Sequence, residues 1–163
     1  MAQDEISLRR IGADDWQLWR KLRLDALAEA PYAFGAKPTD WQGQRDTEAR
    51  WRGRLVDVPL NVIAEWRQTA AGMIGATAPN TDGSVELLST WVAPFARGHG
   101  VGDALVNSVI AWACEQGASK VTLGVFETNE RAVALYRRHG FMHIVAPDNS
   151  AGIAAEGKMV RAL

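Results

Sequence analysis

The stretch Trp91-Val92-Ala93-Pro94-Phe95-Ala96-Arg97-Gly98-His99-Gly100-Val101-Gly102 decides the fold, because a strand empties there into a glycine-rich turn that opens an amphipathic helix. Upstream, Ser84 to Val92 is rich in strand formers. Period-two alternation sets Val85, Leu87, Ser89 and Trp91 on one face and Glu86, Leu88, Thr90 and Val92 on the other. Pro94 has no amide proton for a ladder and stops the strand. Downstream, Val101, Leu105, Val106, Val109, Ile110 and Ala113 recur at helical spacing, so the helix lays one apolar stripe on a sheet and aims its N-terminus at the loop. The first amides of such a helix lack intrahelical partners and carry the positive end of its dipole, which suits a phosphate or pyrophosphate. Gly98, Gly100 and Gly102 have no Cβ, so an anion can approach the backbone closely.

The chain around this unit reads as further strands and helices. Val121, Leu123 and Val125 alternate with Thr122, Gly124 and Phe126 as a strand. Asn129 then caps a helix carrying Arg131, Leu135, Tyr136, Arg137 and Arg138, and Gly140-Phe141 stops it and enters a new strand. Toward the N-terminus, Ile6 and Leu8 mark a first strand. Gly12 to Asp15 offers a cap for a helix bearing Trp16, Trp19, Leu22, Leu24 and Leu27, which ends before Pro31. A second helix spans Glu48 to Leu55, with Pro59 at its exit. Leu60–Trp66 and Met73–Ala78 form a hairpin across a turn from Gln68 to Gly72, and a closing strand lies around Lys158 to Arg161. Periodicity by itself leaves the class as α/β or α+β.

Arg97-Gly-His-Gly100-Val-Gly102 resembles the (Gln/Arg)-x-x-Gly-x-(Gly/Ala) pyrophosphate loop of the GNAT superfamily of acyl-CoA-dependent N-acetyltransferases, and Asn129, Tyr136 and Gly140-Phe141 resemble its second motif. The resemblance is clear from about Ser84 to Ala146. It implies the GNAT fold, a mixed central sheet of about six to seven strands flanked by about four helices, as a single domain over 1–163. It further implies acetyl-CoA as co-substrate, with Arg97, Gly98, His99, Gly100, Val101 and Gly102 holding the pyrophosphate. Val92 offers backbone groups to the pantetheine arm or acyl carbonyl, and Asn129 a further contact.

Tyr136 stands where family members place a general acid that protonates the departing thiolate. A phenol of pKa about 10 is matched to a thiol of about 8.5. For the general base, Glu86 on the motif strand is preferred, since partial desolvation against Leu88 and Val92 would raise its pKa, and Glu127 beside Asn129 is second. Members that acetylate protein N-termini carry Leu-Glu-Val on the strand before the Asn. Here Leu123-Gly124-Val125 lacks that carboxylate, which favours a small-molecule amine over a peptide N-terminus or lysine. Tyr32, Phe34, Trp41 and Trp51 suggest an aromatic acceptor pocket, while Trp16, Trp19, Trp66, Trp91 and Trp112 read as core. A non-catalytic acyl-CoA-binding module is the alternative outside enzymes. A dinucleotide-binding unit fails for want of the third glycine of Gly-x-Gly-x-x-Gly.

Composition fits a single globular domain: 163 residues, 47% hydrophobic and 23% charged. A formal net charge of −1 gives no general attraction to nucleic acid or an anionic membrane. No apolar run approaches the ~20 residues of a membrane span, and the acidic start is unlike a secretory signal, so a cytoplasmic location is expected. Cys114, the single cysteine, reads as a packing residue, and His99, His139 and His143 lack metal-ligand spacing, so no metal is expected. A homodimer is compatible with the final strand.

Overall fold

In the computed structural model, residues 5–30, 43–144 and 156–163 are described. They fold as β1 (Ile6–Arg10), α1 (Trp16–Glu29), α2 (Glu48–Asp57), β2 (Leu60–Trp66), β3 (Thr69–Ala76), β4 (Ser84–Val92), α3 (Val101–Glu115), β5 (Lys120–Phe126), α4 (Glu130–Arg138), β6 (Met142–His143) and β7 (Glu156–Ala162). The strands form one sheet in the order β1-β2-β3-β4-β5-β7-β6. Every neighbouring pair is antiparallel except β4 and β5, which run parallel across the crossover helix α3.

Two apolar layers hold the helices on this sheet. Val62, Val85 and Leu87 pack with Leu105, Val109 and Trp112 of α3 and Tyr136 of α4, whereas Ile63, Met73 and Trp91 pack with Trp19 and Leu22 of α1 and Trp51 of α2. Gly72 lets α3 sit close: a Cβ there would lie 2.9 Å from the Trp91 carbonyl oxygen and 3.0 Å from Leu105 Cδ1. Burial of each such large apolar side chain stabilises the fold by about 1.5–3 kcal/mol. Cys114 departs from the expectation of a packing residue and is exposed, because it falls outside the inward stripe of Val101, Leu105, Val109 and Trp112.

The β2–β3 turn is shorter than the sequence predicts. Trp66 pairs with Thr69, leaving only Arg67 (φ 51°) and Gln68 (φ 67°) in the bend. Left-handed backbone at both central positions matches the right-handed twist of the flanking strands, and this lets β3 begin before Met73.

A bulge in β4 overturns the predicted alternation. Gly72 and Met73 pair with Val92 and Trp91, but Gly75 and Ala76 pair with Leu88 and Leu87, so β4 carries one extra residue between those registers. Ser89 sits there with φ 58°. Leu87 therefore faces α3, and Trp91 is turned to the α1–α2 face instead of sharing a side with it. On its other edge β4 pairs with β5 only from Ser84↔Lys120 to Glu86↔Thr122. Beyond that point the two parallel strands part, and the gap they leave is the site.

Candidate active site

A cleft of about 730 Å³ opens where β4 and β5 diverge. Thr90, Trp91 and Val92 line it from β4, Phe126 from β5, Arg97 to Gly102 from the loop, Asn129, Leu135 and Tyr136 from α4 and its cap, and Glu29 from the end of α1. His99 alone in the stretch Arg97–Gly102 does not line it; its exposed ring stacks on Trp66 with centroids 4.2 Å apart.

The start of α3 presents open donors to this cleft. Its N-cap, Gly100 (φ 88°, ψ 5°), supplies no side-chain cap, and the first helical bond runs from the Ala104 amide to the Gly100 carbonyl at 3.0 Å. The amides of Val101, Gly102 and Asp103 are thus free of intrahelical partners. Gly98 shares the left-handed backbone at φ 82°. Gly102 serves another purpose: a Cβ there would stand 3.2 Å from Leu135 Cδ2, so its absence lets α4 close against α3.

Charged groups around the loop are tied together. Arg97 donates from Nε to the Val92 carbonyl at 3.0 Å and from Nη2 to Glu29 Oε2 at 2.9 Å. The Trp91 indole N–H donates to the same carboxylate oxygen at 3.0 Å. The Arg97 hydrogen bond, against the opposing effect of burial and with help from Trp91, holds the Glu29 carboxyl below its ordinary range. Arg97 accordingly acts as a strut from α1 to the end of β4. Asp103, in the first turn of α3, accepts from Arg138 at 3.1 Å and lies 2.8 Å from His139 Nε2. Burial pushes its carboxyl up, but the bonds and charges of His139 and Arg138 outweigh this and hold it low.

On α4, the Asn129 side chain accepts from the Ala132 amide at 3.3 Å, so it is the helix cap and also lines the cleft. Tyr136 is 5% exposed and meets Phe141 edge-on at 5.8 Å. Gly140 (φ 83°) turns the chain so that the Phe141 amide bonds the Tyr136 carbonyl at 3.0 Å, which folds Phe141 back over the ring. Burial raises the phenol above its ordinary value while the neighbouring Thr90 hydroxyl pulls the other way. Thr90 Oγ1 is itself buried, without a hydrogen bond of good geometry.

Other expectations meet a different outcome. Glu86 lies in the part of β4 still paired with β5, is exposed, and does not line the cleft; its amide donates to Thr77 Oγ1 at 2.9 Å. Glu127 is likewise exposed and outside the lining, 3.9 Å from His143. Trp51 is not a pocket wall but a fully buried core residue whose indole donates to Asp46 at 2.7 Å. Tyr32, Phe34 and Trp41 lie outside the described residues. Sequence reasoning missed Glu29, Thr90 and Trp91 as cleft residues. Glu29 is far from the motifs in sequence, and the other two are turned to their places by the bulge. Among the described residues no group of three His, Cys, Asp or Glu could hold a metal ion, and no helix is long and apolar enough to cross a membrane.

Comparison with known proteins gives concordant matches. The family model described as Acetyltransferase (GNAT) family matches residues 19–141. A mycothiol acetyltransferase of Salinispora tropica is 34% identical over 145 residues, covering 85% of this chain and 45% of that protein. The chain spans less than half the length of the curated relatives it matches, 45% and 38% for two of them. A GCN5-related N-acetyltransferase from Kribbella flavida superposes with a TM-score of 0.78 at 23% identity, covering 99% of each chain. An N-acetyltransferase of Thermoplasma acidophilum, in complex with coenzyme A, superposes with a TM-score of 0.75 at 15% identity, covering 97% of this chain and 99% of the other.

Proposed function

We propose that this chain, which belongs to the acetyltransferase (GNAT) family, is an N-acetyltransferase that moves the acetyl group of acetyl-CoA directly onto a primary amine of a small molecule. One observation carries the reading: the divergence of β4 from β5 sets Tyr136 and the uncapped N-terminus of α3 in a single cleft. The site fits the thioester substrate. Open amides and the helix dipole suit its pyrophosphate, and the unpaired end of β4 suits an extended amide-bearing arm. The named small-molecule acetyltransferase among the relatives agrees in kind.

In the reaction, the amine lone pair attacks the thioester carbonyl carbon, a C–N bond forms, and the C–S bond breaks. The sulfur takes its proton from the Tyr136 hydroxyl, which burial keeps protonated. Among the described residues the carboxylates that line the cleft, Glu29 and Asp103, are hydrogen-bonded to cations that lower their basicity, which makes both poor acceptors for the amine's proton. The amine therefore reacts in its neutral form and gives its surplus proton to water, from which the Tyr136 phenolate regains the proton it gave to sulfur. Cys114 lies on α3 away from the cleft lining, so it offers no thiol for an acyl-enzyme.

Calorimetric titration of acetyl-CoA and free CoA tests the reading, with Gly100→Glu as the variant that places bulk and negative charge in the loop. Binding to the native chain and its loss in the variant are expected, followed by thiol release with an amine panel. Absence of binding to the native chain refutes the proposal.

A further inference from the structure

We propose that Arg54, behind the β4 bulge, is an anion site for the acceptor, so that the amine taken up carries a carboxylate close to its nitrogen. This rests on the N-acetyltransferase reading above.

The bulge sets Arg54 just behind the cleft wall, on the opposite face of β4. Adjacent residues Ser89 and Thr90 serve opposite sides of β4: Thr90 lines the cleft with Tyr136, while Ser89 Oγ accepts from Arg54 Nη2 at 3.4 Å. Arg54 also donates from Nη1 to Asn61 Oδ1 at 2.9 Å, and its guanidinium lies over the Trp19 ring at 5.1 Å. Gly75 makes room for it, since a Cβ there would stand 3.2 Å from Arg54 Nη2. With acetyl-CoA lying along α3 and α4 as proposed above, an acceptor that approaches β4 from the α1–α2 side would meet this guanidinium.

Around Arg54 the charge balance among the described residues is one-sided. Among the described residues the hydrogen bonds and ring contact of Arg54 all go to neutral groups, and no carboxylate lies within ion-pair distance of it. Asp57 acts on it only through its more distant charge. Burial lowers the guanidinium to about 10, and largely buried Arg23 is lowered to about 10 as well, by burial and by the charge of Arg54. Among the described residues this desolvated cation, resting on a hydroxyl, an amide oxygen and an indole face, has none of the counter-ions that such groups ordinarily have. The planar fork of a guanidinium matches a carboxylate in both charge and shape.

The test uses free L-amino acids, each paired with its own C-terminal amide, as acceptors for thiol release from acetyl-CoA. The native chain is expected to favour the acid over the amide at least tenfold in kcat/KM. Arg54→Gln is expected to abolish that preference through KM of the acid, while kcat for the amide and the acetyl-CoA Kd stay unchanged. Arg54→Lys keeps the charge without the fork and is expected to restore part of the preference; it also serves should the Gln variant misfold. Equal or better use of the amides by the native chain, or a Lys variant that loses acid and amide activity alike with a lowered Tm, overturns the proposal and marks Arg54 as a brace for the bulge. Failure to bind acetyl-CoA or to acetylate any amine overturns the N-acetyltransferase reading and this inference with it, whereas turnover without acid preference overturns this inference alone.

Discussion

Gly100→Ala isolates the backbone of the anion loop from its packing. A Cβ at this position would meet only Ile6 Cδ1, at an ordinary 3.7 Å, so any cost comes from the conformation, φ 88° and ψ 5°, rather than from a clash. A left-handed backbone costs an L-residue roughly 1–2 kcal/mol, while replacing glycine restricts the unfolded chain and returns about 0.4–1 kcal/mol. The net loss is about 1 kcal/mol, which in a chain of this size lowers Tm by about 2–4 °C. A loop that relaxes to escape the strain misaims the Val101 and Gly102 amides, and restoring their aim on binding weakens acetyl-CoA by about fivefold to thirtyfold if 1–2 kcal/mol must be recovered. Thermal melts with and without acetyl-CoA, combined with calorimetry, read both quantities. Gly102→Ala is the comparator. Its backbone is helical, its Cβ would press Leu135 Cδ2 at 3.2 Å, and the better helix propensity of alanine offsets the crowding, so its Tm stays close to native. A Gly100→Ala protein as stable and as tight-binding as native would refute the claim that left-handed backbone at Gly100 organises the phosphate site.

Three further outcomes are expected. Tyr136→Phe keeps the ring against Phe141 and so leaves Tm unchanged, but lowers kcat by about 10²–10⁴ in steady-state thiol release; a drop under threefold would remove Tyr136 as the acid. Glu29→Gln loses the charged partner of Arg97 and Trp91 and costs about 1 kcal/mol, discounted because the Glu29 side chain is 34% exposed. It should appear as a lower Tm and altered Trp fluorescence, and unaltered values of both would show that the strut is dispensable. Asp46, bound by Arg20 and the Trp51 indole, is held at about 2 when folded, against an ordinary 3.8. Its folded pKa is the lower one, so its stabilisation is complete above the unfolded value and disappears as pH falls from about 4 to about 2. In acid titrations followed by circular dichroism, Asp46→Asn should therefore be less stable than native at pH 6 and lose less stability than native across that window.

Much of the fold was legible because its signals are local. The Asn129 cap, the breaks at Pro94 and Gly140 and the apolar stripe of Val101, Leu105 and Val109 each follow from the preferences of a few neighbouring residues, and each stands where the sequence places it. That Arg97, Gly98, Gly100, Val101 and Gly102 share one cleft with Asn129 and Tyr136 was legible for the same reason, as two local motifs on one side of a parallel crossover, whereas His99 turns away onto Trp66. Period-two counting, by contrast, failed at Ser89. A bulge is decided by the register of β4 against β3, which the residues of β4 do not encode by themselves, and the miscount carried Trp91 to the wrong face and hid Thr90. Trp51 was misread in a similar way, since an aromatic near irregular chain can equally wall a pocket or fill a core, and only its partners Asp46 and the buried layer distinguish the two.

By itself, then, the sequence determined the order of strands and helices, the glycine-rich helix start without a side-chain cap and the presence of a phenol seven residues after a cap, all of them set by short-range backbone and side-chain preferences. The tertiary structure alone decided which carboxylates stand exposed and which are engaged. Glu86, on the motif strand, is left on an exposed surface, while Glu29, from a helix far away in the chain, is brought to Arg97 and Trp91. Ionisable groups act over a few ångströms of space whatever their separation in sequence, so their surroundings are set by the tertiary packing that brings the end of α1 to the end of β4.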